Sequence, residues 1–348
     1  MYPFSDGSFA PLNAWYVAAF TNELNRDILS RWIVGEPVVM FRKEDGTAVA
    51  LAGNCPHRHF PLGAGELIGD TLRCTYHGLT FAADGACIHV PSLVSVPSSY
   101  RVRSYPLVER GMWAWIWPGD PALADETLIP TMEEIGYGEA GWFARPFHRF
   151  DVKARFQLLN DNLLDLSHLA NLHASSIGTE SSATTPEQRD TTPRRLRSRR
   201  NIMGSEQPPV QRNPHSTYDG LIDRTTQMDF FAPGFHAGID DTFVASDHPT
   251  RANEILKRRK VWHGVTPSTR HESMYFFSMG VEQEFELDII TKAILPVLEE
   301  DVYAAEQIEL MFSRLAKIPP ELLLKSDITA GRGRAIVQKM IDAERTSA

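Results

Sequence analysis

Short apolar runs separated by turn signals fill the first third of the chain. Residues 15–20 (W-Y-V-A-A-F), 38–41 (V-V-M-F), 48–51 (A-V-A-L) and 112–117 (M-W-A-W-I-W) are bounded by breakers such as Glu44-Asp45-Gly46 and Asp84-Gly85. The pattern predicts a small β-sandwich over residues 10–120, with loops projecting from one end. Pro118-Gly119-Asp120-Pro121 interrupts it and marks a domain boundary, giving domains 1–120 and 121–348. From about 150 to 175 the spacing becomes helical, with apolar Leu158, Leu159, Leu163, Leu164 and Leu172. Residues 178–215, rich in Ser, Thr, Pro and Arg, read as a long loop or lid. The basic run Arg194–Arg200 inside it reads as a solvated face or edge strand, with a subunit or reductase contact as the other reading. Strands resume between 217 and 280, and two helices, 285–316 and 319–345, close the chain. The fold class is α+β. Gly331-Arg332-Gly333 follows no strand and lacks a third spaced glycine, so it is not a dinucleotide site.

Composition narrows the classes. At 348 residues, two domains are the natural expectation. The net charge of -9 argues against general nucleic-acid binding. No apolar run approaches the length of a membrane span, and the first residues carry neither a basic segment nor an apolar core, so no membrane anchor or signal peptide is expected. Three cysteines permit at most one disulfide, and the expected compartment is the reducing cytoplasm.

Two of those cysteines stand in a pattern that carries chemistry. Cys55 and His57 lie in C-P-H-R; Cys74 and His77 lie in C-T-Y-H, after sixteen intervening residues. Two thiolates and two imidazoles at this spacing suit a [2Fe–2S] cluster of the Rieske kind, where cysteines hold one iron and histidines the other. A structural zinc site takes the same four ligands, but usually opens with C-x(2–4)-C rather than C-x-H. Pro56 stiffens the first loop, and Gly78 lets the second pass close to the cluster.

A second metal site is suggested by His168 and His173, since non-haem iron(II) oxygenases use two histidines and one carboxylate. A spacing of i, i+5 sets two residues about 140° apart on a regular helix, so a shared ion requires the helix to bulge or stop. Asp165 is placed to hold the second ring nitrogen of His168. Asn160, Asp161 and Asn162 are costly in a leucine-rich segment unless they line a site. The carboxylate must come from elsewhere: Asp301 is the best candidate and Glu300 its rival.

These residues resemble the oxygenase component of Rieske non-haem iron oxygenases, in particular the vanillate and dicamba O-demethylase group. The resemblance covers nearly the whole chain: N-A-W-Y-V-A-A (13–19), the two cluster motifs, W-I-W-P-G-D-P-A-L-A-D (115–125), D-N-L-L-D-L-S-H-L-A-N-L-H (161–173) and the acidic pair 300–301. It implies an N-terminal Rieske domain and a C-terminal helix-on-antiparallel-sheet catalytic domain. His168, His173 and Asp301 would be ligands of a mononuclear Fe(II). Asp165 would bridge His168 to a cluster histidine, His77, across a subunit boundary in a head-to-tail homotrimer. Asn162 would sit beside the iron, and His263 would contact substrate. The implied reaction uses O₂ and electrons from NAD(P)H, delivered by a separate reductase because no flavin or nicotinamide motif is visible. It would O-demethylate a methoxy-aromatic acid to a phenol and formaldehyde; the alternative is hydroxylation of an aromatic ring or aryl methyl group.

Overall fold

The computed structural model describes residues 9–212 and 218–346, which divide into two compact units. Within the described residues, the first comprises Ala10–Ile129 with Thr266–Arg270, and the second comprises the rest of the chain from Pro130 to Val265 and from His271 onward.

The first unit is made of short antiparallel sheets. The expected apolar runs become β1 (Tyr16–Phe20), β3 (Glu36–Arg42) and β4 (Ala48–Ala52), with β2 (Leu29–Ile33) pairing β3. β5 (Glu66–Ile68), β6 (Thr71–Arg73), β7 (Thr80–Phe81) and β8 (Cys87–His89) form a second sheet, and β9 (Leu107–Arg110) and β10 (Trp113–Ile116) join β1 in a third. β10 is buried on both faces, which is why its tryptophan-rich run reads as continuous rather than alternating. Val39, Phe41, Leu51 and Phe81 form a core that also takes in Cys55 and Cys74.

The second unit is an eight-stranded sheet with helices. Its strands are β11 (Phe143–Val152), β12 (Gln188–Thr191), β13 (Leu196–Ser205), β14 (Ile222–Phe231), β15 (Phe235–Val244), β16 (Ile255–Lys257), β17 (Lys260–Thr269) and β18 (Glu272–Val281). The order is β11-β18-β17-β15-β14-β13-β12, with β16 beside β15. The helices are α1 (Phe156–Leu164), α2 (Glu180–Thr184), α3 (Glu286–Arg314) and α4 (Ile328–Thr346). Gly333 of α4 leaves room for Leu164 of α1, since a Cβ there would lie 2.5 Å from the leucine Cδ1. Arg334 then pairs with Asp161 across the two helices at 2.8 Å.

Three expectations are corrected. Residues 178–215 are not a long loop: their described part folds into α2 and the β12–β13 hairpin, so the arginine run belongs to the end of the sheet, where Arg197 forks onto Asp229 at 2.6 Å through each of two nitrogens. The helical segment expected from 150 to 175 begins at Phe156 and stops at Leu164. The last helix starts at Ile328 rather than 319, after exposed Leu322–Leu324. Among the described residues no helix is long and apolar enough to cross a membrane.

Candidate active site

In the first unit the four candidate ligands sit on two loops of like shape. Cys55 follows β4 and Cys74 follows β6. Each backbone N–H donates across its own loop, Cys55 to Phe60 O (2.9 Å) and Cys74 to Leu79 O (2.8 Å), while each carbonyl accepts from a residue four further on. Gly78 has φ +78°, and a Cβ there would meet Pro91 at 2.8 Å, so glycine is required on both counts. The cysteines are buried and the histidines exposed, with the His57 and His77 rings 4.5 Å apart. Burial, with Cys74 alongside, pushes the Cys55 thiol up to about 11.

In the second unit, α1 ends because Asp165 leaves helical geometry (φ −113°, ψ 87°). Its carboxylate then accepts from Ser167 N at 3.0 Å and starts a 3₁₀ turn, Leu166–Ala170, that carries His168. This break is the structural answer to the i, i+5 spacing: the His168 and His173 rings come within 5.1 Å. Asp301, on α3, brings Oδ1 to 3.0 Å from His173 Nε2 and 3.5 Å from His168 Nε2. The ligand-type atoms of the three all lie within 4.8 Å of one another. Glu300 takes the other side of the ring, accepting from His173 Nδ1–H at 2.6 Å. His168 Nδ1–H donates to the main-chain carbonyl of Asp165 at 2.6 Å, so Asp165 holds that ring through its backbone, leaving the carboxylate to cap the turn. Burial would lift the Asp301 carboxyl, but hydrogen bonds to His168 and His173 hold it well below the usual carboxylate range.

Of the three polar residues before the break, only Asn162 faces this group. Its Nδ2 donates to Asp301 Oδ1 at 3.0 Å, and its buried Oδ1 has no hydrogen-bond partner among the described residues. Asp161 is spent on Arg334, and Asn160 donates to Pro233 O and accepts from His236. The expectation that all three line a site is corrected: two of them tie α1 to its neighbours.

Comparison with known proteins places these features. Residues 152–343 match the vanillate O-demethylase oxygenase C-terminal domain, and residues 14–106 match the Rieske [2Fe-2S] domain. The chain is 30% identical to the vanillate O-demethylase oxygenase subunit of Pseudomonas sp. (strain HR199), covering 97% of each chain. It is also 30% identical to the toluene-4-sulfonate monooxygenase system iron-sulfur subunit of Comamonas testosteroni, over 95% of this chain and 97% of that one. A crystal structure of dicamba monooxygenase with non-haem iron and dicamba superposes with a TM-score of 0.77 at 27% identity, over 97% of this chain and 99% of that one. The chain belongs to the vanillate O-demethylase family of Rieske oxygenase components. It is therefore a Rieske-type monooxygenase component with a β-rich N-terminal Rieske domain and a helix-and-antiparallel-sheet C-terminal domain, and the comparisons support an iron–sulfur cofactor and iron.

The residues of this Rieske oxygenase fit both groups. The Cys55 thiol, held at high pKa in a buried core beside Cys74, is costly to ionise unless a cation takes it, and the exposed imidazoles complete a donor set of two sulfurs and two nitrogens. His168, His173 and Asp301 offer two imidazoles and one ionised carboxylate, the set of a non-haem iron(II) site, and Asn162 holds Asp301 from beside it through Nδ2.

A cavity of ≈ 150 Å³ opens at these three residues. One wall is a face of α3: Ile290, Ile294, Val297 and Asp301 recur at helical spacing. The opposite wall is the sheet, with Val261, His263 and Phe277. His263 is buried; its Nδ1 shares a 2.7 Å hydrogen bond with the Tyr275 hydroxyl, and burial pushes its imidazole down to about 4, so it stands neutral over the pocket. Sequence reasoning missed Tyr275, the role of Glu300 beside His173, and the cations Arg224, Lys257 and Arg259 at the other end of the cavity. The period-2 pattern of β14, with Arg224, Thr226 and Met228 on one face, was the available signal.

Proposed function

We propose that this oxygenase component O-demethylates a methoxy-aromatic acid, releasing a phenol and formaldehyde. The observation that carries this reading is the convergence of His168, His173 and Asp301 at one end of a mostly apolar cavity of small-molecule size. In this reading, residues 1–120 carry the cluster on Cys55, His57, Cys74 and His77. Residues 121–348 do the oxidation. Electrons come from NAD(P)H through a separate reductase, and Asp165 bridges His168 to His77 of a neighbouring chain in a head-to-tail homotrimer. When bound, the two iron centres would supply one-electron transfer and O₂ activation.

The protein's own part is positioning. His168, His173 and Asp301 would hold the mononuclear iron where they line the cavity, Asn162 steadies Asp301, and Glu300 fixes the tautomer of His173. Val261, Phe277 and the α3 face exclude water from the substrate, while neutral His263 offers a ring nitrogen to a polar substituent on it. For each methoxy group oxidised, O₂ takes up two electrons and two protons. One oxygen atom enters the methyl carbon, whose hemiacetal then breaks to phenol and formaldehyde; the other leaves as water.

Similarity to the toluene-4-sulfonate monooxygenase subunit supports a second reading, hydroxylation of an aryl methyl group in the same cavity. The iron-loaded protein, a surrogate reductase, NADH and O₂ would be incubated with methoxy- and methyl-aryl acids. Formaldehyde formed in step with a demethylated acid supports the first reading. Hydroxymethyl product without formaldehyde supports the second and rejects the first.

A further inference from the structure

The cavity has a second polar end that the iron chemistry does not use. Arg224 on β14, Lys257 on β16 and Arg259 just before β17 all line it, and among the described residues Asp240 on β15 is the only carboxylate lining it beside Asp301. Asp240 accepts from Arg224 Nε (2.6 Å) and Nη2 (3.2 Å) and from Lys257 Nζ (3.0 Å). Arg224 also donates Nη1 to Ile177 O at 2.8 Å, and its side chain is only 4% exposed. Arg259 donates Nη1 to Arg258 O (2.7 Å) and pairs through Nη2 with Glu286, yet its buried Nε has no hydrogen-bond partner among the described residues. Three cations thus face two carboxylates, Asp240 and Glu286, leaving one positive charge uncompensated in a partly buried place, where Lys257 and Arg259 are 21% and 14% exposed. A buried cation excess is costly without a counter-charge. Burial and the Arg224 charge already press the Lys257 ammonium down from its ordinary value.

Two elements run from one end of the cavity to the other. The separations along them are backbone lengths, and the span left for a ligand is shorter, since Arg224 itself reaches Ile177 O, four residues after His173. Glu286, paired with Arg259, opens α3, and Asp301 lies fifteen residues along the same helix, about 22 Å at a rise of about 1.5 Å per residue. On the sheet side His263 is four residues beyond Arg259, about 13 Å of extended chain. Apolar Val261, Ile290 and Ile294 line the cavity at intermediate positions on the same two walls.

We propose that Arg224, Lys257 and Arg259 anchor the anionic group of an aryl carboxylate or aryl sulfonate substrate, at the opposite end of the cavity from His168, His173 and Asp301. This rests on the reading of the cavity as the substrate pocket and goes further, since it sets polarity. The ring lies in the apolar stretch, and the carbon to be oxidised projects from the side of the ring away from the anion. Para-substituted acids fit this geometry; an ortho methoxy group would be held beside the cations.

The test is binding without turnover. Metal-loaded protein is titrated anaerobically with 4-methoxybenzoate, 4-methoxybenzenesulfonate, 2-methoxybenzoate and the uncharged 4-methoxybenzamide. At least one para anion should bind ten-fold or more tighter than the amide, and more tightly than 2-methoxybenzoate; which anion wins separates carboxylate from sulfonate recognition. Lys257→Met and Arg259→Gln should each remove most of the preference for the anion while the Kd for the amide stays within about three-fold, which shows that the pocket is still folded. Arg259→Lys should restore part of it. Para anions that bind no better than the amide, absence of binding included, overturn the proposal, as does a preference that survives both substitutions. Because no product is measured, an anchor that behaves as expected beside an enzyme that forms no formaldehyde would reject O-demethylation and leave the anchor standing.

Discussion

Glu300→Ala is the most direct probe of the reasoning about the three-residue group. Glu300 touches that group only through the 2.6 Å bond from His173 Nδ1–H. A carboxylate in this position fixes which ring nitrogen is free and raises its basicity toward a metal. Hydrogen bonds to charged groups contribute about 1.5–3 kcal/mol, but the Glu300 side chain is 31% exposed, and screening places it toward the lower end. A loss of about 1.4–2 kcal/mol corresponds to iron binding weakened roughly 10- to 30-fold. Glu300→Gln keeps an acceptor for the same N–H and should lose much less. The assay is anaerobic competition for the mononuclear iron by a graded iron(II) chelator, with the cluster's visible absorbance as the internal count of folded chains. Iron retention in Glu300→Ala equal to wild type, at unchanged cluster content, would refute the argument that Glu300 orients His173.

Two further outcomes are expected. Asp165→Asn keeps a cap for Ser167 and leaves the backbone carbonyl that holds His168, so both metals should remain while turnover falls at least 100-fold; near wild-type turnover in the metal-replete variant would dismiss the electron bridge. Glu309→Ala strips the buried partner of Arg155, which it grips at 2.6 and 2.8 Å at the start of α1, and of His271, and should cost about 3–5 kcal/mol of stability, read as a lowered denaturation midpoint. Burial would raise the Glu309 carboxyl, but Arg155 and His271 hold it below its ordinary value. Its contribution is therefore complete above the unfolded value near pH 4.3 and fades as the pH falls through the folded one, so wild type and variant should converge in stability in acid.

How much of this was legible in the sequence depended on how local the cause is. The cluster motifs are complete within 23 residues, Cys55 to His77, and the strands around them have short apolar runs, so the N-terminal fold was readable from spacing alone. The α+β class followed from the change of period after residue 150. The boundaries of α1 were not readable: leucine spacing continues to Leu172, and the helix ends because one aspartate prefers to cap a new turn. Residues 178–212 misread as a loop because their arginines look solvent-loving; the acids that satisfy them, such as Asp229, lie on another strand. The same blindness hid the cation end of the cavity. Lys257 and Arg259 are near neighbours in one basic run, but Arg224 comes from a strand more than thirty residues earlier, and nothing short of the sheet's register brings it to them. Asp301 was nameable as a carboxylate near histidines, but its separation in role from Glu300 needed the helix phase.

α3 acts as a ruler. One continuous helix bears Glu286, which sets Arg259, and Asp301, which sets the histidine pair, so the two ends of the cavity cannot be moved apart independently. Inserting a residue between them would not lengthen the pocket smoothly, because each added residue also turns every later side chain by about 100° and would swing Asp301 off the cavity. Divergence toward longer or shorter substrates is thereby channelled into the girth of side chains along the ruler, Ile290, Ile294 and Val297, while its length stays fixed. Relatives acting on differently sized aromatics should accordingly differ in the bulk of these three positions and keep the fifteen-residue interval intact.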